Sequence, residues 1–129
     1  MARPEPLSEV QLAFMRALWD LGEGSVTDVQ ESLQGLGRAL ASTTVATVLG
    51  RLERRGFVTH RQDGRQYIYR AVVTRQEVQR SVLERVTDTL FRGDITALVG
   101  HLLRARDVEP GDLARVKALI EAREKEAEK

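Results

Sequence analysis

The chain contains no cysteine in 129 residues, which excludes disulfides, a thiolate metal site and a cysteine nucleophile. Aromatic residues are scarce at 5%, with Trp19 the sole tryptophan. No apolar run approaches the roughly 20 residues that span a bilayer, so no membrane insertion is expected. The opening MARPEPLSEV has neither the basic start nor the apolar stretch of a signal peptide. The simplest expectation is a cytoplasmic protein. Only two histidines occur, His60 and His101, and nothing sets either beside a nucleophile or a cluster of metal ligands. No enzyme, no cofactor and no metal site are expected.

What is present argues for a packed core: 42% of residues are hydrophobic and 30% charged, against global disorder. The length allows one ordinary domain, or a small domain with an extension. Net charge is only +1, but it is unevenly placed. Between Arg38 and Arg75 eight arginines face two acids, Glu53 and Asp63, a local excess of +6. A basic segment on a near-neutral chain suits phosphate binding. Charge bias alone would favour the blander reading, a well-solvated surface.

Ser8, with Gln11 three residues on, predicts a capping box at the start of a first helix. Leu12, Met15, Ala17, Leu18 and Trp19 form its apolar stripe up to Leu21-Gly22. Ser25 opens a shorter helix burying Val26, Val29 and Leu33, broken by Gly35 and Gly37. A third helix is expected in STTVATVLGRLERRGFV. Ser42 is its candidate N-cap, and Val45, Val48, Leu49 and Leu52 recur at helical spacing. Gly56 behind Arg54-Arg55 reads as a left-handed stop. The period then changes: residues 57–61 and 66–70 alternate about Asp63-Gly64, a hairpin signal.

Three helices and a hairpin are the order of a winged helix-turn-helix domain, expected over residues 1–73. The third helix would be the recognition helix and residues 62–65 the wing. Its polar face carries Ser42, Thr43, Thr44, Thr47, Arg51 and Arg54 at spacings of three and four. Threonine hydroxyls bond phosphates or base edges, and their methyls contact the thymine methyl. Arginine reads guanine bidentately or clamps phosphate. Arg61 and Arg65 of the hairpin can hold neighbouring phosphates. The blander alternatives are real for each residue alone. Threonines near a helix start serve as local hydrogen-bonding groups, and Arg54 and Arg55 complement the helix dipole. Gly50, costly in a helix by about 1 kcal/mol, could permit close packing or close approach to DNA. Their convergence in one unit favours DNA binding over a winged-helix protein-interaction module.

Beyond residue 74 the pattern is helical throughout, giving a mostly α chain. Thr74 and Glu77 form a capping box, followed by Val78, Val82, Leu83, Val86 and Leu90, with Phe91-Arg92-Gly93 closing the helix. Asp94 caps the next helix, whose apolar side holds Ile95, Leu98, Val99, Leu102 and Leu103. Residues 109–112 punctuate, and Leu113, Val116, Leu119 and Ile120 stripe a last helix. These faces, in a C-terminal dimerisation region over residues 74–129, have little to bury against except a partner, the alternative being that they fold back on their own domain. An identical chain is the cheapest partner, and a twofold dimer suits paired half-sites.

The sequence also resembles the penicillinase-repressor (BlaI/MecI) family of bacterial transcription regulators over nearly its whole length. The stretches that carry the resemblance are LSEVQLAFMRALWDLG, STTVATVLGRLERRGFV, HRQDGRQYIYR and FRGDITALVGHLL. The resemblance implies a homodimeric repressor on a palindromic DNA operator. It sets Thr43, Thr44 and Thr47 toward the groove and Arg51 at a basic position near the backbone. In one branch it implies induction by proteolysis at an Asn-Phe bond in the dimerisation helix. The matching pair here is His101-Leu102, so a membrane sensor protease as partner is left open. The copper-responsive branch uses C-terminal cysteines, which are lacking.

Overall fold

The computed structural model describes residues 6–105 and 108–128. In chain order it holds α1 (Glu9–Leu21), α2 (Val26–Gly35), α3 (Ser42–Arg54), β1 (Val58–Asp63), β2 (Gln66–Ala71), α4 (Arg75–Phe91), α5 (Ile95–Ala105) and α6 (Pro110–Ala127). Contacts divide the chain into two compact units, Met1–Val82 and Leu83–Lys129, so α4 begins in one and ends in the other.

The first unit is built on aliphatic side chains brought together by α1, α2, α3 and the hairpin. Phe14, Met15, Leu18, Val29, Leu33, Val45, Leu49 and Leu52 are fully excluded from solvent. Side chains in such close packing each contribute about 1.5–3 kcal/mol through burial. Phe14 lies outside the expected stripe of α1. It is buried because α1 meets α2, α3 and β2 together, so its apolar face is broader than one seam. Trp19 is only half-buried and works through its polar edge, donating from Nε1 to the Val73 carbonyl at 3.0 Å. The Arg75 guanidinium lies 5.4 Å from the Trp19 ring centre, a cation–π contact that adds to this anchor.

Local chemistry sets the helix ends. The Ser8–Gln11 box forms in both directions at α1, and Ser25 with Asp28 forms a second at α2. Each satisfies two amides that the helix leaves open. At α3 the expectation of Ser42 as N-cap is wrong: the cap is Ala41, with no side-chain cap bond, and Ser42 is the first helical residue. Gln30 Nε2 donates to the Leu40 carbonyl at 2.9 Å, bonding the approach to α3. The helix therefore starts one residue early, and the Ser42 side chain is exposed rather than folded onto the backbone.

Helix α3 stops as expected. Gly56 has φ +83°, and the Gly56 and Phe57 amides donate to the Glu53 and Leu52 carbonyls at 3.0 Å. That pair of bonds is a Schellman motif, which needs a left-handed residue and so favours glycine. The hairpin register runs from Val58 opposite Ala71 to Asp63 opposite Gln66. The ladder thus reaches further than the alternation suggested. Asp63 ends β1, and the turn residues are Gly64, at φ +63°, and Arg65. Glycine at the first central position matches the twist of a two-residue hairpin. Gly24 also bridges Tyr69, with amide-to-carbonyl distances of 2.9 and 2.8 Å, adding a short third edge to the sheet.

α4 opens on the expected Thr74–Glu77 box, with the Glu77 amide 3.0 Å from Thr74 Oγ1. In the second unit Asp94 caps α5, accepting from the Ala97 amide at 3.0 Å. Residues 110–112, read as punctuation in the sequence, instead form the first turn of α6 behind Glu109. Pro110 occupies a position where its missing N–H costs nothing and its fixed φ suits the helix. No described residue from 83 to 128 is buried. Leu90, Ile95 and Leu119 are 73%, 66% and 71% exposed. Among the described residues, no helix is long and apolar enough to cross a membrane.

Candidate nucleic-acid interface

Helix α3 separates its two faces cleanly. Val45, Leu49 and Leu52 point into the core, whereas Ser42, Thr43, Thr44, Thr47, Arg51 and Arg54 are all exposed. Burial of the first set fixes the rotation of the helix and presents the second. The Thr47 hydroxyl donates to the Thr43 carbonyl at 2.9 Å, the local back-bond open to threonine in a helix. Its proton is therefore engaged, while its oxygen can still accept and the side chain is exposed. Thr47 can accept from a base amino group or pack on a thymine methyl without breaking any internal bond.

Gly50 resolves one alternative. A Cβ added there would meet only Arg54 Nη1, at an ordinary 3.8 Å. Among the described residues no neighbouring element packs against Gly50, so close packing with them does not account for it. It lowers the profile of the helix between Thr47 and Arg54.

The arginines divide into two groups. Arg55 donates from Nη1 to Gln11 Oε1 at 2.8 Å, with its guanidinium 5.0 Å from the Phe57 ring centre. Arg75 pairs with Asp20 at 3.1 Å. Arg61 donates from Nη2 to Glu23 Oε1 at 2.8 Å, with Asp63 at 4.0 Å. The Glu23 hydrogen bond and charge raise the Arg61 pKa further above its already high value. Arg51 and Arg54 on α3, and Arg65 in the turn, form no ion pair with another described residue. The local positive excess is thus partly neutralised by exposed pairs to Glu23 and Asp20, while Arg51 and Arg54 on α3 and Arg65 in the turn keep their charge uncompensated among the described residues. Arg61, expected beside them, lies on a strand position alternate to the core-facing Val58, tied to the turn between α1 and α2.

Arg65 also lines a cavity of about 310 Å³ with Ser25, Val26, Thr27, Gln66 and Tyr67, between the start of α2 and β2. On the core-facing side of the hairpin, His60 Nδ1 lies 2.8 and 2.7 Å from the two Glu53 carboxylate oxygens. Its ring stacks on Tyr67 at 4.3 Å between centroids. Tyr69 is buried, and burial followed by the Glu53 charge raises its phenol pKa. The Glu53–His60 and Glu23–Arg61 pairs were not read from the sequence. Each joins separate elements, and no local spacing signals either. Among the described residues no acidic, histidine or cysteine cluster could hold a metal.

Three helices, a hairpin and an exposed threonine–arginine face on the third helix define a winged-helix transcription regulator. The penicillinase repressor profile matches residues 7–122, and the chain belongs to that family of transcriptional repressors. The methicillin resistance regulatory protein MecI of Staphylococcus aureus (strain Mu50 / ATCC 700699) is 18% identical over 114 residues, covering 88% of this chain and 92% of its own. Among solved structures, a MarR family protein from Bacillus stearothermophilus aligns with TM-score 0.52 and 16% identity, covering 97% of this chain and 78% of its own. The PcaV transcriptional regulator from Streptomyces coelicolor aligns with TM-score 0.51 and 23% identity, covering 95% and 78%. At these identities the two structures speak to the fold.

Proposed function

We propose that this repressor is a cytoplasmic homodimer that reads a palindromic duplex operator. Residues 1–73 bind the DNA and residues 74–129 hold the dimer together. The observation that carries the reading is the outer face of α3, exposed, hydroxyl-rich and bearing two arginines without ion pairs among the described residues. Short side chains let a helix enter the major groove, where Ser42, Thr43, Thr44 and Thr47 meet base edges. Arg51, Arg54 and Arg65 hold phosphates and set the register. Arg61 reaches phosphate only by exchanging its Glu23 partner, an exposed pair of the kind that exchanges readily. A protein-interaction role would call for an acidic or apolar outer face on α3, and this one is basic.

Dimerisation is supported by the second unit, whose helices carry apolar stripes that no described residue buries. A twofold partner would cover Val82, Val86, Leu90, Phe91, Ile95, Leu98, Val99, Leu102, Leu103, Leu113, Val116, Leu119 and Ile120. It would also place two α3 helices on half-sites related by the same symmetry. Selection of genomic fragments on the purified protein tests the reading. A shared inverted repeat in the bound fragments is expected. Fragments without common sequence, held only at low salt, would refute it.

A further inference from the structure

The only histidine of the first unit, His60, sits where α3 meets the hairpin. Among the described residues it touches two groups at close range. Glu53 of α3 accepts from Nδ1 through both carboxylate oxygens, at 2.8 and 2.7 Å. Tyr67 of β2 offers its π face at 4.3 Å, and a π face attracts a cation. The remaining titratable neighbour is Tyr69 of β2, at 5.4 Å and tilted. Both partners of the ion pair keep side-chain exposure of 30%, so water and protons reach it. Glu53 lies in the same turn of α3 as Arg51 and Arg54, and it is the only acid within α3. With His60 charged, the pair is neutral. With His60 neutral, the junction of α3 and wing presents a bare carboxylate beside the basic face.

From this arrangement we infer that DNA binding by this protein is proton-linked through His60. Binding of the polyanion to α3 and the wing takes up a proton at the Glu53–His60 pair, so affinity is greatest with the imidazole charged and falls as pH rises. The inference rests on the DNA-binding reading above. Its sign follows from charge: a phosphate backbone stabilises the added positive charge and opposes an uncompensated carboxylate nearby. Histidine is the side chain that changes charge in the neutral range, and affinity changes at most tenfold per pH unit for each linked proton. The pair therefore makes operator occupancy sensitive to acidity without a ligand or a conformational change.

The test uses the full-length protein and a duplex recovered by genomic selection. Affinity is measured by fluorescence anisotropy from about pH 6 to pH 8 at constant ionic strength. Wild type is expected to lose about three- to tenfold in affinity across that range, and H101Q, in the second unit, should behave the same way. H60Q should lose the pH dependence, and E53Q should reduce it. E53Q should also bind more tightly than wild type at the alkaline end, where it removes a negative charge. A role limited to holding the hairpin in place would instead make E53Q bind more weakly at every pH. A second measurement needs no DNA: amide resonances of residues 60–67 should follow one transition in the neutral range, absent in H60Q. Flat wild-type affinity on a tightly bound duplex would overturn the proton linkage while leaving DNA binding intact. Failure to bind any duplex at any pH would overturn both, and the amide titration would then show whether the Glu53–His60 pair itself titrates.

Discussion

The two units of this chain are written in the same pattern and bury it differently. In the first, amphipathic helices converge with a hairpin, and eight large side chains lose all contact with water. In the second, α5 carries an apolar stripe as marked as that of α1 and α6 a weaker one, yet no described residue from 83 to 128 is buried. Periodicity makes a helix two-faced; burial requires a second surface at the right distance. The first unit supplies that surface from its own chain. The second has apolar area without a counterpart, which is why association with a second copy is the natural reading of it.

Substitutions can break this contrast, and the largest effect should come from the first unit. Phe14→Ala removes a fully buried ring and should destabilise by about 3–5 kcal/mol in chemical denaturation followed by Trp19 fluorescence. A cost below about 1 kcal/mol would mean that the core around α1 is not packed as described. Leu98→Asp puts a charge in the half-buried stripe of α5. It should convert dimer to monomer in sedimentation, and loss of the second half-site should cost roughly 10²-fold in operator affinity. An unchanged mass would remove α5 from the interface.

Gly50→Ala should act oppositely on two readouts. Folding stability should rise by about 0.5–1 kcal/mol, because helical glycine is entropically costly and the added methyl meets only a flexible guanidinium. DNA affinity should fall as the methyl holds the groove floor away. Gains in both would assign Gly50 no part in DNA contact. The smallest effect belongs to Leu119→Ala, at a residue 71% exposed in the single chain. A free surface predicts a change within about 0.5 kcal/mol. A dimer interface predicts a larger loss that depends on protein concentration.

Much of the first unit was legible because its signals are local. Capping boxes at Ser8 and Thr74, the glycine stop at Gly56 and the hairpin near Gly64 all follow from residues a few positions apart. Local reading failed where a neighbour in space decided the outcome. Ser42 lost the cap position to Ala41. Phe14 was drawn inside because α1 contacts three elements at once. The arginine count gave the right sign for the basic segment. It could not say that Arg55, Arg61 and Arg75 are engaged by Gln11, Glu23 and Asp20. Spacing on α3 did foretell its exposed face, since burial of Val45, Leu49 and Leu52 leaves the threonines and Arg51 no other place.

That face is the central claim, and a paired titration tests it most directly. Wild type, Arg51→Ala and Thr47→Ala are titrated on a selected duplex, and on single-base variants of it, across a range of salt. Arg51→Ala should weaken binding to all duplexes alike and lower the slope of log K against log salt by about one. Thr47→Ala should keep the slope and relax preference at one base pair, worth about 1–3 kcal/mol. If both variants reproduce wild-type affinity, slope and preference, α3 is not the surface that reads DNA.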